Sequence, residues 1–327
     1  MGKNVGIMTF HDVRARGSRV LIGGTGKPRN GCGRLLHAGA LTHRERTAFM
    51  KWNVVTDSSC DLIPSDYRSD AIELSSVPFA ISVGVRGYTD GEQLDIQEML
   101  RDMEQEKTAS YTSCPAPGAW LEQFEKADRT IAITISSQLS GSMNSALTAR
   151  DLALEADPDK KIAVLDSRST GPELVLCVRE IERLAREGIG FDEAVDRVNA
   201  FLDKTKVIFA LSSFDNLIKN GRMHKMAGFL AKALGMWGIG SASDEGRIVV
   251  EGKTRGPKRT VRALIECMRE RGFSGGNVAI SHCDNHAVAH ALKDGILNAW
   301  ADSQIEILPT RGLCSYYAER GGLIVGF

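Results

Sequence analysis

Short apolar runs alternate with amphipathic helical patterns along most of this chain, and that alternation limits the possible folds more than any other feature. In the first half, the runs 52–56, 73–81, 130–135 and 161–165 predict strands. Helical periodicity occupies 96–106, 119–126 and 142–155 between them, and 173–187 after the fourth run. Strands separated by whole helices form parallel sheets with helices on both faces. The pattern changes near 188–191. A helix at 191–205 leads to a strand at 207–212, a helix at 223–234, a hairpin arm at 246–254 and a helix at 257–271. A strand at 277–282, a helix at 286–300 and strands at 304–309 and 322–327 follow, which predicts a mixed sheet. The expected fold class is α/β: an N-terminal α/β/α domain with a parallel sheet over 50–189, and a second α/β domain with a mixed sheet over 190–327.

The first 49 residues read differently. They hold nine Lys/Arg against Asp12 and Glu45, a net charge of +7 that the remainder offsets in a chain of zero formal charge. No strand or helix period is sustained there, and the segment is expected to be a poorly ordered tail or the product of an upstream start, with Met50 as the natural beginning. Gly23-Gly24-Thr25-Gly26-Lys27-Pro28 is no P-loop. Leu21 stands where that motif needs Gly, and Pro28 where it needs Ser or Thr. Gly6 breaks the myristoylation pattern.

Composition removes several function classes. The mildly acidic body disfavours nucleic acid, whose affinity comes from neutralised phosphates. No run approaches the length of a membrane span: 211–234 is interrupted by Asp215, Lys219, Arg222 and Lys225. Seven cysteines without a CxxC pair predict reduced thiols and a cytoplasmic location. His282, His286 and His290 are spaced by four. Because His282 closes a strand, only the last two share a helix face, and without the Glu of HExxH they are expected to be solvated or capping residues. No cofactor or metal is expected.

The strand ends share one chemistry. They read Thr56-Asp57-Ser58-Ser59, Ser136-Ser137-Gln138-Leu139-Ser140-Gly141-Ser142 and Asp166-Ser167-Arg168-Ser169-Thr170, with Thr112-Ser113-Cys114-Pro115 before a helix. Ligands of open α/β sheets bind beyond the carboxyl ends of the strands, and helix N-termini offer unpaired N–H groups to an anion. The same residues are also ordinary helix caps. Few cations accompany them, so a single carboxylate suits the site better than a polyphosphate. Gly-x-Ser-x-Gly is absent, and no acid–base pair is evident. Arg222 and the cluster Lys253, Arg255, Lys258, Arg259 and Arg262 are the main basic features, either a solvated face or a docking surface.

From Met50 to Phe327 these motifs, in this order, resemble the DegV family, the fatty-acid-binding family that includes the carrier subunits of bacterial fatty acid kinase. Val55-Thr56-Asp57-Ser58-Ser59 matches its opening VTDSS, and Tyr88-Thr89-Asp90-Gly91 its Y-x-D-G. The runs at 112–115 and 136–142 are similar to TSQP and SSxLSGT. Asp166-Ser167 matches DS, Leu217-Ile218-Lys219-Asn220-Gly221-Arg222 is similar to LKKGGR, and Lys253-Thr254-Arg255 to KxR. The resemblance implies two α/β domains with an acyl chain in an apolar tunnel between them. It implies that Thr112 and Ser140 hold the carboxylate, with Ser113, Gly141 and Ser142 as neighbours. It further implies a non-catalytic carrier of one long-chain fatty acid that presents the head group to a separate ATP-dependent fatty acid kinase, with Arg222 and Arg255 on the presenting surface. Three departures stand out. Tyr317 replaces the His of the family's closing HTGPG, Asn220 replaces a Gly, and Gly240-Ser241-Ala242 stands where K-P is usual. A second reading is an enzyme, a small-molecule kinase subunit or hydrolase acting on a polar substrate at the Ser-rich strand ends. A third is an interaction protein that has lost its ligand.

Overall fold

A computed structural model describes residues 51–106, 110–223 and 235–327. The basic tail, its P-loop-like stretch and nearly all of the helix expected at 223–234 lie outside the described residues.

The parallel sheet is present. It is built from β1 (Trp52–Asp57), β2 (Ile72–Val77), β6 (Arg129–Thr134) and β7 (Lys161–Asp166) in the order β2-β1-β6-β7. Alternation along each strand sorts side chains onto two faces. Trp52, Val54, Ile131 and Ile133 face α4 (Pro172–Arg186) and α5 (Phe191–Leu202). Val55 and Ala132 face α2 (Pro117–Phe124) and α3 (Ser142–Ala156), where Trp120 and Phe124 meet Ala146, Ala149 and Ala153.

The apolar run 73–81 is not one strand. Pro78 has no N–H to give a ladder, and it separates β2 from β3 (Ala80–Val83). β3 turns away to form a small antiparallel sheet with β4 (Arg86–Thr89) and β5 (Ser110–Ser113), in the order β4-β3-β5. α1 (Ile96–Gln105) packs its Met99 under this sheet, capped by Asp95, whose side chain accepts from the Glu98 amide at 2.9 Å.

Six strands form the mixed sheet, in the order β10-β9-β8-β13-β11-β12. They are β8 (Val207–Leu211), β9 (Met236–Ala242), β10 (Ile248–Arg255), β11 (Asn277–His282), β12 (Gln304–Pro309) and β13 (Leu323–Gly326). β10 is the expected hairpin arm, and β9, which the sequence reading does not place, pairs with it antiparallel, with a register shift at Val250/Gly252. Gly240-Ser241-Ala242 belongs to β9. One face of this sheet presents Ile208, Ala210, Val278, Ile280 and Val325 to α7 (Pro257–Glu270) and α8 (His286–Ala299). The other turns Val207, Phe209, Leu211 and Ile324 back toward the parallel sheet. Two short helices, α6 (Asp215–Lys219) and α9 (Gly312–Ala318), complete that side.

Buried carboxylates tie the parts together. Asp57 accepts from Ser59 N and Oγ (3.2 and 2.5 Å), Ile135 N (3.0 Å) and Ser142 Oγ (2.6 Å). Asp90 accepts from the amides of Gly312 and Leu313 (2.8 and 2.7 Å), and Asp61 from that of Arg311 (2.8 Å). Together these satisfy amides that the first turn of α9 leaves unpaired. Burial raises all three acids, Asp61 and Asp90 to about 6. Gly171 at the start of α4 (φ +58°) is required here, because a Cβ would lie 2.9 Å from Asp61 Oδ2 and 3.3 Å from Cys314 Sγ.

Candidate functional site

An apolar cavity lies between the parallel sheet and the open face of the mixed sheet. It holds about 820 Å³ of atom-free space, its mouth included. Phe79, Ile135 and Leu313 wall one side, and Phe209, Leu211, Leu217, Ala318 and Ile324 the other. β8 explains much of this: its odd residues point into the cavity and its even residues into the helix-covered core.

Four polar side chains gather at one part of the lining: Thr112, Ser140, Arg222 and Tyr317. The Thr112 hydroxyl and the Tyr317 phenol share a hydrogen bond of 2.8 Å. Arg222 Nε donates to Leu139 O at 3.0 Å, and its Nη1 donates to Asn220 O. Both acceptors are carbonyls, and among the described residues Arg222 has no carboxylate partner. Burial raises the Tyr317 phenol, so it stays a neutral donor. Tyr316 faces elsewhere: it is fully buried and its hydroxyl donates to Ser110 Oγ at 2.7 Å.

The expected site residues separate into three groups. Thr112, Ser140 and Tyr317 come together on the cavity. Ser113, Gly141 and Ser142 do not line it. Thr112 and Ser113 belong to strand β5, so their side chains point opposite ways and Ser113 is exposed. Gly141 is the exposed N-cap of α3, where a Cβ would sit 3.3 Å from Cys114 Sγ. The Ser142 hydroxyl is fully buried and spent on Asp57. Arg222 and Arg255, expected on one surface, are apart in role. Arg222 lines the cavity, while Arg255 ends β10 in solvent beside Lys258 and Arg259.

The three histidine rings adjoin one another, His282 edge-to-face with His286 and His286 tilted against His290. His286 and His290 Nε2 are 3.1 Å apart, and His282 Nδ1 accepts from the Asn285 amide. Among the described residues no group of three or more His, Cys, Asp or Glu is placed to hold a metal, and no helix is long and apolar enough to cross a membrane. Sequence reasoning missed most of the cavity wall. Two signals could have found it: the alternation in Val207-Ile208-Phe209-Ala210-Leu211, and Arg168, which lines the cavity from the DS-containing turn.

The DegV family model matches residues 51–327. A DegV domain-containing protein of Streptococcus pyogenes serotype M1 is 40% identical over 278 residues, 85% of this chain and 99% of that protein. Among solved structures, the Streptococcus pneumoniae Fatty Acid Kinase (Fak) B3 protein loaded with linoleic acid superposes with a TM-score of 0.82 at 37% identity, covering 85% of this chain and 99% of the other. A DegV family protein from Eubacterium eligens loaded with heptadecanoic acid superposes with a TM-score of 0.81 at 37% identity, covering 84% and 98%. With seven motifs in order, the shared architecture and this extent of identity, the chain belongs to the DegV family.

Proposed function

We propose that this protein binds one long-chain fatty acid and presents its carboxylate to a separate, ATP-dependent fatty acid kinase in the cytoplasm. The observation that carries the reading is the cavity: apolar walls from both sheets, with Thr112, Ser140, Tyr317 and Arg222 gathered on its lining. Burying an acyl tail contributes about 0.8 kcal/mol per methylene, while a buried carboxylate is costly unless hydrogen-bonded. Three hydroxyls and one guanidinium supply the donors. The fatty acids held by the S. pneumoniae and E. eligens relatives support the same ligand class.

In this reading the chain is a carrier rather than an enzyme. Residues 50–189 and 190–327 act as two parts with the ligand between them, α5 being shared with the parallel-sheet core. Ser113, Gly141 and Ser142 support the head-group site from outside the cavity, Ser142 through Asp57 and Ser113 through the strand that carries Thr112. Arg222 is positioned to meet both head group and kinase. Arg255, exposed with Lys253, Lys258, Arg259 and Arg262, offers the kinase a basic face. The experiment is native mass spectrometry of the purified protein, followed by denaturing extraction and lipid analysis. One equivalent of a long-chain fatty acid is the expected result. An empty mass that takes up neither palmitate nor oleate would overturn the proposal.

A further inference from the structure

The cavity has a second end, and its construction bears on which acyl chains fit. Val207, Phe209 and Leu211 line it along the five residues of β8, four steps that span about 13 Å at the usual strand rise. Beyond Leu211 the chain runs toward Leu217 and Arg222, the end where Thr112 and Tyr317 are bonded. At the opposite end, the β8–β9 register sets Ser241 opposite Ile208, which places Ala242 beside Val207. Ile248 pairs with Ala242 across the hairpin.

The turn of that hairpin is seated on the parallel-sheet part. Ser136 Oγ donates to Gly246 O at 2.8 Å. Gly246 has φ +87°, and a Cβ there would lie 2.8 Å from Arg168 Cα, so the turn fits this closely only as glycine. On the far side is a polar cleft whose lining includes Asp203, Thr205, Lys206 and Asp244. Cleft and cavity share three residues, Arg168, Val207 and Ala242. Those three residues border both spaces and so form the partition between them. Arg168 is held in it by Asp203, at 2.6 Å.

We propose that the partition of Arg168, Val207 and Ala242 is the stop for the methyl end of the acyl chain and sets the longest fatty acid this protein accepts. The proposal rests on the fatty-acid reading and on the head group lying at the Arg222 end. Each methylene inside the cavity raises affinity about fourfold. A methylene forced past the partition enters a polar cleft and gains nothing, so affinity climbs with length to a breakpoint and then levels or falls.

The test uses delipidated protein titrated with the saturated acids from decanoic to eicosanoic. Ala242→Leu thickens the partition, and its breakpoint should move to shorter acids, with at least a tenfold loss for the longest acid the parent accepts and less than threefold for decanoic acid. Val207→Ala should move the breakpoint to longer acids. Arg168→Ala touches a partly exposed side chain rather than the core, so it remains informative if a core variant misfolds. It should relieve the loss seen with acids beyond the parent's breakpoint. An unmoved breakpoint in folded variants that still bind would overturn the proposal, as would an equal loss at every length, which would put the head group at this end. Failure of the parent protein to bind any of the acids would instead overturn the functional reading beneath it.

Discussion

Tyr317 offers the sharpest test of the head-group site, because Tyr317→Phe removes one oxygen and leaves the ring packed as before. In the structure that oxygen shares a neutral hydrogen bond with Thr112 Oγ1, at 2.8 Å. Losing such a bond costs about 0.5–1.5 kcal/mol. With a carboxylate bound, the linked hydroxyls donate toward a charge, and the lost bond is worth about 1.5–3 kcal/mol. Affinity reads the difference, about 1–2 kcal/mol, so the Kd for palmitate should rise roughly 5- to 30-fold. Isothermal titration of delipidated protein measures it. Methyl palmitate, which keeps the tail and loses the charge, should bind parent and variant within about twofold. The reasoning fails if the free acid is equally indifferent, or if acid and ester weaken together, which would make the phenol a packing group.

Ser140→Ala should weaken palmitate binding by roughly 1–3 kcal/mol with little change in Tm. Ser142→Ala should do the reverse, lowering Tm because the buried Asp57 loses a donor at 2.6 Å; matching effects on both readouts would refute the division between them. Gly240→Ala would put a Cβ 2.5 Å from the Phe209 ring, so it should cost about 1–3 kcal/mol of stability and shrink the cavity, seen as a lower denaturation midpoint and weaker uptake of long acids. Asp61 and Asp90 bind their protons more tightly folded than unfolded, being raised by burial from 3.8 to about 6. Their stabilising contribution is therefore complete below about pH 4 and lost as pH rises through about 6, an effect on the order of 2–3 kcal/mol per carboxyl. Asp61→Asn should flatten part of that dependence in urea melts run across this range, and an unchanged profile would sink the assignment.

Most of the fold was legible because its signals are local. Strand runs and helical periods depend on neighbours in sequence, and the parallel sheet, β10, α7 and α8 sit where those periods place them, while β9, rich in glycine, carried no such signal. Failures arose where distant residues decide. Val77-Pro78-Phe79 reads as one apolar stretch, yet the proline splits it between two sheets. α9 is short, and the acceptors for its first amides come from Asp90 and Asp61, 222 and 250 positions earlier. Arg222 lines the cavity while donating to Leu139 O, 83 residues away. The Ser142 hydroxyl serves an acid 85 residues earlier. Ser113 is the instructive case. Read as part of a loop, it is interchangeable with Thr112; read as part of a strand, it must face the other way.

The position of β13 has a consequence for how the molecule assembles. It follows the other described strands in sequence, yet it sits in the middle of its sheet, antiparallel to β8 on one side and β11 on the other. Until it is in place, β8–β9–β10 and β11–β12 are two fragments, each exposing an unpaired edge of the kind that invites aggregation. Closure also joins segments more than a hundred residues apart, a topology that slows folding. The wall of the cavity on that side is thus complete only once β13, with Ile324, has joined β8 to β11.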